Sequence, residues 1–236
     1  MKLIIGRKLN MSQVYGDNGA VVPVTEIRAG AGKVVQVKDL KKDGYCAVQF
    51  GFSEGSKNVS KSVEGHVKGI VKNPKLIEMR VEDTSSFKTG QAIDIGIFEK
   101  GEKVSVSGLS KGRGFQGVVK RHGFHGSNKT HGTKHHLRAP GSIGATDPQR
   151  VFPGMKMAGR MGNTKVTVKN LEIVDVDKKN GIIKIKGAIP GPRGGLVKII
   201  SEGEIKFASE PSGRENEKTE FSTSADLSAG VKIRNN

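Results

Sequence analysis

The chain has 236 residues, of which 34% are hydrophobic and 5% aromatic. Ordinary globular chains hold roughly 45–50% apolar residues, so a thick core is excluded and the length supports one large domain or two small ones. Forty Lys and Arg stand against 23 Asp and Glu, a net charge of +17, which points to a polyanionic partner, nucleic acid ahead of an anionic membrane surface.

Strands are predicted from the amino terminus onward. Lys2-Leu3-Ile4-Ile5 is the first. With Lys2, Arg7 and Lys8 around only three apolar residues, it is too short for the apolar region of a secretory signal. No apolar stretch approaches the roughly 18 residues of a membrane helix, so no membrane partner is expected and a cytoplasmic location is. Val21–Ile27, Lys33–Val37, Tyr45–Phe50, Leu76–Val81, Ile93–Phe98 and Val104–Leu109 follow as strands, then Val166–Val176, Ile182–Ile185 and Leu196–Ile200. The single Cys46 lies in one of them and reads as a core or half-buried thiol; alone it excludes a disulfide framework within the chain and fits a reducing compartment. Between strands lie Gly16-Asp17-Asn18-Gly19, Lys42-Asp43-Gly44 and Lys179-Asn180-Gly181, where Asn-Gly and Asp-Gly permit the positive φ of tight hairpins. Val63, Val67, Ile70 and Val71 repeat at helical spacing and predict one helix over Ser62–Val71. Many short strands at close spacing predict a mainly β fold, an antiparallel barrel or sandwich.

Charge divides the chain unevenly. Residues 108–165 hold eleven basic side chains and one acid, Asp147, a net +10, with five of the six histidines and 12 of the 33 glycines. Their apolar residues are scattered without period, so this segment builds no core of its own and reads as an excursion from the barrel. A purely solvating tract has no need of Phe115, Phe124, Phe152 and three Met among its cations. Apolar groups beside Arg and Lys suit a surface that meets sugar-phosphate and unstacked bases. Lys111, Arg113, Lys120, Arg121, Lys129, Lys134, Arg138, Arg150, Lys156, Arg160 and Lys165 are therefore the candidate phosphate ligands. Residues 208–236, rich in Ser, Glu, Asn, Thr and Lys, read as a disordered tail.

Catalytic patterns are weak. Gly112-Arg-Gly-Phe-Gln-Gly117 matches G-x-G-x-x-G, yet a dinucleotide site needs an acid about 20 residues on for the ribose. Leu137 and Arg138 stand there instead. His122, His125, His131, His135 and His136 match no metal-ligand spacing, have no cysteine near them and sit among cations that repel a divalent ion. Hydrogen bonding to phosphate or ribose, or stacking on bases, is the better use of such histidines. Paired carboxylates, a nucleophile elbow and a G-x-x-x-x-G-K-[ST] loop are missing from the sequence. No catalytic residue, cofactor, metal or small-molecule substrate is expected.

Lys111-Gly-Arg-Gly-Phe-Gln-Gly-Val-Val-Lys-Arg-His-Gly-Phe124, Thr130-His-Gly132, Pro140-Gly-Ser-Ile-Gly-Ala-Thr-Asp-Pro-Gln-Arg-Val-Phe-Pro-Gly154 and Met157-Ala-Gly-Arg-Met-Gly162 closely resemble the bacterial large-subunit ribosomal protein L-three family. The likeness extends to Gly6-Arg-Lys-Leu-Asn-Met-Ser-Gln-Val-Tyr15 and Gly187-Ala-Ile-Pro190, and spans Met1 to Ile200. The resemblance implies a translation-protein-type antiparallel β-barrel formed by residues 1–107 and 166–207, with a smaller insert at about 53–90. It implies binding to large-subunit rRNA, contact with neighbouring large-subunit proteins, a role early in subunit assembly, and a loop that reaches toward the peptidyl transferase centre. The tip of that loop would be Gly144, Ala145, Thr146, Asp147, Pro148 and Gln149, with an Asp147–Arg150 pair holding its turn. Thr146-Asp147 stands where many bacterial members carry a modifiable Gln and archaeal or eukaryotic members a Trp, so neither feature carries over. A dissociable RNA-binding translation or assembly factor on the same barrel is the alternative reading.

Overall fold

The computed structural model describes residues 1–16, 18–53 and 58–203; the tail at 208–236 lies outside the described residues. In chain order the strands are β1 (Lys2–Tyr15), β2 (Val21–Ala29), β3 (Gly32–Lys38), β4 (Ala47–Phe52), β5 (Lys75–Arg80), β6 (Ala92–Ile93), β7 (Lys103–Leu109), β8 (Gly114–Gln116), β9 (Gly159–Met161), β10 (Lys165–Asp177), β11 (Ile182–Lys186) and β12 (Leu196–Ser201). Three short helices join them: α1 (Leu40–Asp43), α2 (Lys61–Val67) and α3 (Val118–His122).

The fold is mainly β and is built from several sheets. Six strands pair in the order β1-β12-β7-β10-β11-β2, and β2 pairs back onto β1, which closes an antiparallel barrel. Closure satisfies the backbone groups that an open edge would leave unpaired. The inward side chains come from period-two alternation, as in β12, where Val197, Ile199 and Ser201 are buried between half-buried neighbours. Register shifts at Lys8/Met11 in β1 and at Val168/Leu171 and Ile173/Asp175 in β10 bend the strands around the ring.

A second sheet, ordered β5-β4-β3-β6, comes from the chain between β2 and β7. The strands at 33–37 and 45–50 belong to this sheet and not to the barrel, so the sheet runs from Gly32 to Ile93, a longer stretch than the 53–90 of the expected insert. One apolar cluster joins the two sheets: Leu3, Ile4, Ile5, Val106 and Ile199 of the barrel pack in the same core as Val48, Phe50, Phe52 and Ile93. Leu3, Ile4 and Ile5 are consecutive and all buried. Since successive strand residues point to opposite faces, β1 is covered on both sides at its start.

Two local expectations need correction. The helix over Ser62–Val71 stops at Val67, because Lys68 (φ 50°) and Gly69 (φ 76°) turn left-handed. The strand over Ile93–Phe98 ends at Ile93; Ile95–Ile97 form a 3₁₀ turn whose Ile95 and Ile97 are buried. An apolar run has the same composition in either conformation. The predicted turns at Gly16–Gly19 and Lys179–Gly181 do join antiparallel neighbours, with Gly19 at φ 70° and Gly181 at φ 65°. Gly44, at φ 78°, instead caps α1.

At one end of the barrel Lys2 donates to Glu102 (3.0 Å) and the Ser201 hydroxyl donates to the same carboxylate (2.5 Å). Burial pushes the Glu102 carboxyl up, but the Ser201 and Lys2 hydrogen bonds outweigh it and hold the group below its ordinary value of 4.5. A carboxylate whose folded pKa is depressed stabilises the fold above its unfolded pKa and loses that contribution as pH falls through the folded one. Urea unfolding across pH should therefore show wild type losing stability below the ordinary carboxylate range. Glu102→Gln should lose less over that range and be about 1–3 kcal/mol less stable at neutral pH, from the weakened network.

Candidate nucleic-acid interface

The basic stretch leaves and re-enters the barrel at paired residues. Leu109 at the end of β7 lies opposite Lys165 at the start of β10, and Gly108 opposite Val166. Beyond the barrel the pairing continues as a stem: the Ser110 amide donates to the Thr164 carbonyl (2.9 Å) and the Asn163 amide to that of Ser110 (3.2 Å). The Arg113 amide donates to Met161 (2.9 Å), and β8 and β9 then form a two-stranded ribbon with Phe115 opposite Arg160. Gly162 sits at φ 77°, and a Cβ there would run into the Lys111 carbonyl oxygen, so glycine lets the two arms meet. Long as it is, this segment is an ordered two-armed extension near the barrel.

The predicted cations are distributed along both arms. Lys111, Arg113, Lys120, Lys129, Lys134, Arg138, Arg150, Lys156, Arg160 and Lys165 are exposed and Arg121 is half-buried. The ion pairs among the described residues are Lys2–Glu102, Lys38–Glu78, Lys184–Asp175 and Lys186–Glu172. None involves the eleven. Arg113 reaches the Met161 sulfur (4.0 Å), and Arg121 donates to the Met157 carbonyl (2.8 Å), where the His122 ring also converges (3.0 Å). That shared carbonyl ties α3 to the return arm. Phe115, 77% exposed on the ribbon, has cations beside it and no apolar cover.

Farther out, the structure brings His125 and His136 to one hollow and leaves Lys129, His131, Lys134, His135, Arg138 and Arg150 exposed without side-chain hydrogen bonds among the described residues. The segment Gly144–Gln149 is exposed apart from half-buried Pro148. Its turn is held by the Gln149 amide donating to Thr146 (3.3 Å), with Gln149 at φ 52°. Ion pairing between Asp147 and Arg150 is not part of it; the backbone closes the turn, and the two side chains point to solvent where a pair gains little.

Two barrel lysines extend the basic surface and were not among the sequence candidates. Lys8 donates to the carbonyls of Ile189 (2.8 Å) and Gly191 (3.2 Å), beside Ser110, Lys111 and Arg113 at the stem. Burial, and then the charge of Lys111, lowers its pKa. Lys198 on β12 is lowered by burial and then by Lys165. The visible signal was a lysine at an alternating position inside Leu196–Ile200, a place where a strand would otherwise take an apolar or neutral residue.

The glycine pattern at 112–117 has its structural use here. Gly114–Gln116 is a ribbon strand and the helix that follows, α3, has five residues, too short for the helix that a dinucleotide fold places behind its pyrophosphate. Among the described residues no group of three or more His, Cys, Asp or Glu is arranged to hold a metal ion, and no helix is long and apolar enough to cross a membrane.

The model of the family described as ribosomal protein L3 matches residues 35–206. The chain belongs to the ribosomal protein L3 family. A relative from Thermotoga petrophila is 50% identical over 204 residues, covering 85% of this chain and 97% of its own length. One from Thermosipho melanesiensis is 51% identical over 205 residues, with 85% and 98% covered, and one from Natranaerobius thermophilus 44% identical over 208 residues, with 87% and 99% covered. All three bear the name large ribosomal subunit protein uL3 and none the name of an enzyme. The family match contains the whole basic extension and both barrel strands that anchor it.

Proposed function

We propose that this protein is a structural, non-catalytic constituent of the large ribosomal subunit, located in cytoplasmic ribosomes, that binds large-subunit rRNA through its basic extension. The observation that carries the reading is the set of eleven cations with no acidic partner among the described residues, mounted on an extension pinned at both ends to the barrel. Unpaired cations held apart on a scaffold neutralise phosphates and release counterions, which gives affinity without sequence reading. Glycine-rich arms let backbone approach phosphate closely. In this reading the barrel is the translation-protein type, the second sheet is the insert domain, and other large-subunit proteins lie against the barrel. Early binding to folding rRNA supports subunit assembly, because each charge pair formed reduces repulsion between RNA segments.

The tip, Gly144–Gln149, is the part directed toward the peptidyl transferase centre and acts there by position. It is exposed apart from half-buried Pro148, it contains the only acid of the extension, and Pro140 and Pro153 limit how the chain around it can flex.

Binding of the purified protein to large-subunit rRNA should weaken steeply with salt. If half of the eleven cations engage, the log-log slope is about −4 or steeper; a slope near −1 would contradict the electrostatic account. For the tip, ribosomes carrying Asp147→Lys should assemble normally but change in sensitivity to inhibitors of peptide bond formation. Failure at assembly, or unchanged sensitivity, would remove the tip from this role.

A further inference from the structure

The outer part of the extension contains the hollow that His125 and His136 share. Gly123–Ser127 and His136–Gly141, both ahead of the tip in the chain, face each other across a cavity of about 600 Å³, lined by Phe124, His125, Ser127, His136 and Pro140. We infer that this hollow receives one unstacked RNA base with its phosphate; the inference rests on the rRNA-binding reading and adds a defined site to it.

The walls are built by the chain. The Ser127 amide donates to the Leu137 carbonyl (3.1 Å) and the Ala139 amide to that of His136 (3.1 Å). Gly126 lies at φ 75°, and a Cβ there would run into the Leu137 carbonyl oxygen, so the two segments touch here only because residue 126 is glycine. Phe124 is half-buried against the His122 ring (centroids 6.2 Å apart, planes at 47°), and His122 in turn contacts the Met157 carbonyl (3.0 Å). The aromatic wall is thereby tied to the returning arm.

The lining selects the ligand class. It has no carboxylate to attract a cation, and among the described residues its two imidazoles are not part of any group of three or more metal-ligating side chains. It does present one phenyl and two imidazole rings, flat surfaces on which any base can stack, and a hydroxyl and ring nitrogens able to reach base edges or ribose. Arg138, which follows the Leu137 whose carbonyl meets Gly126 at the hollow, is an exposed cation with no side-chain hydrogen bond or ion pair among the described residues, available to the phosphate of a base held there. The volume falls in the range of about 300–1,000 Å³ usual for ligand clefts. A base paired in a helix could not enter, so the site takes a nucleotide from a loop, bulge or end.

The test uses the full-length protein and large-subunit rRNA transcribed in vitro, with affinity measured across salt concentrations. The double variant H125A/H136A should bind about five- to a hundred-fold more weakly, the worth of one or two stacked rings. Its salt slope should match wild type, because stacking releases no counterions. H125F/H136F should bind within about threefold of wild type. Unchanged affinity in H125A/H136A, a slope shallower by one or more, or loss of binding in H125F/H136F equal to that in H125A/H136A would each overturn the pocket. Those results leave the rRNA-binding reading standing as long as wild type itself binds with a steep salt slope; if wild type does not bind, both fall.

Discussion

The antiparallel ladder between Lys103–Leu109 and Lys165–Asp177 has two tasks. As a wall of the barrel it carries Val104, Val106 and Ile173 into the core. As the end of the barrel it places Leu109 opposite Lys165, so the two ends of the basic extension leave the body side by side. The first pairs outside the barrel, Ser110 with Thr164 and Arg113 with Met161, continue that register, and the ribbon of Gly114–Gln116 with Gly159–Met161 follows from it. Without the ladder, closing so long a loop has no entropic compensation; with it, closure is already made by core burial.

The barrel must also offset repulsion among the cations it supports. Lys8 and Lys198 show the cost locally: both are partly desolvated, and the nearby charges of Lys111 and Lys165 lower their pKa further. The acids that could relieve the crowding are elsewhere, in pairs such as Lys2–Glu102 and Lys38–Glu78. A surface arranged this way is stabilised when a polyanion arrives and is strained when it does not. That separation of a self-sufficient apolar body from an uncompensated basic arm is the physical content of the functional reading.

Much of this was legible in the sequence, and what was not has identifiable causes. The alternation in Leu196–Ile200 and Ile182–Ile185 marks strands because one face is buried and the other is not. The second half of β1 gave a weaker signal: Leu9 and Met11 alternate with Lys8, Asn10 and Ser12 only as far as Gln13, Met11 is exposed across a register shift, and pairing with Val21–Ala29 makes it a strand. The three-residue strands β8 and β9 were invisible for a related reason, since Gly114-Phe-Gln and Gly159-Arg-Met become strands only when the arms are brought together. The cations were readable from composition. Their relation was not: Arg121 and His122 converge on Met157, and His125 and His136 on one hollow, through contacts between residues distant in the chain.

Replacing residues 111–164 by a short Gly-Ser linker tests the division of labour most directly, with urea unfolding and rRNA binding measured on the same preparation. The account predicts one cooperative transition near the wild-type midpoint, because the cluster around Leu3, Phe50 and Ile199 lies entirely outside the deleted segment. It also predicts loss of most of the salt-dependent affinity for large-subunit rRNA. A broad, non-cooperative transition, or rRNA binding that survives with its salt slope unchanged, would contradict it.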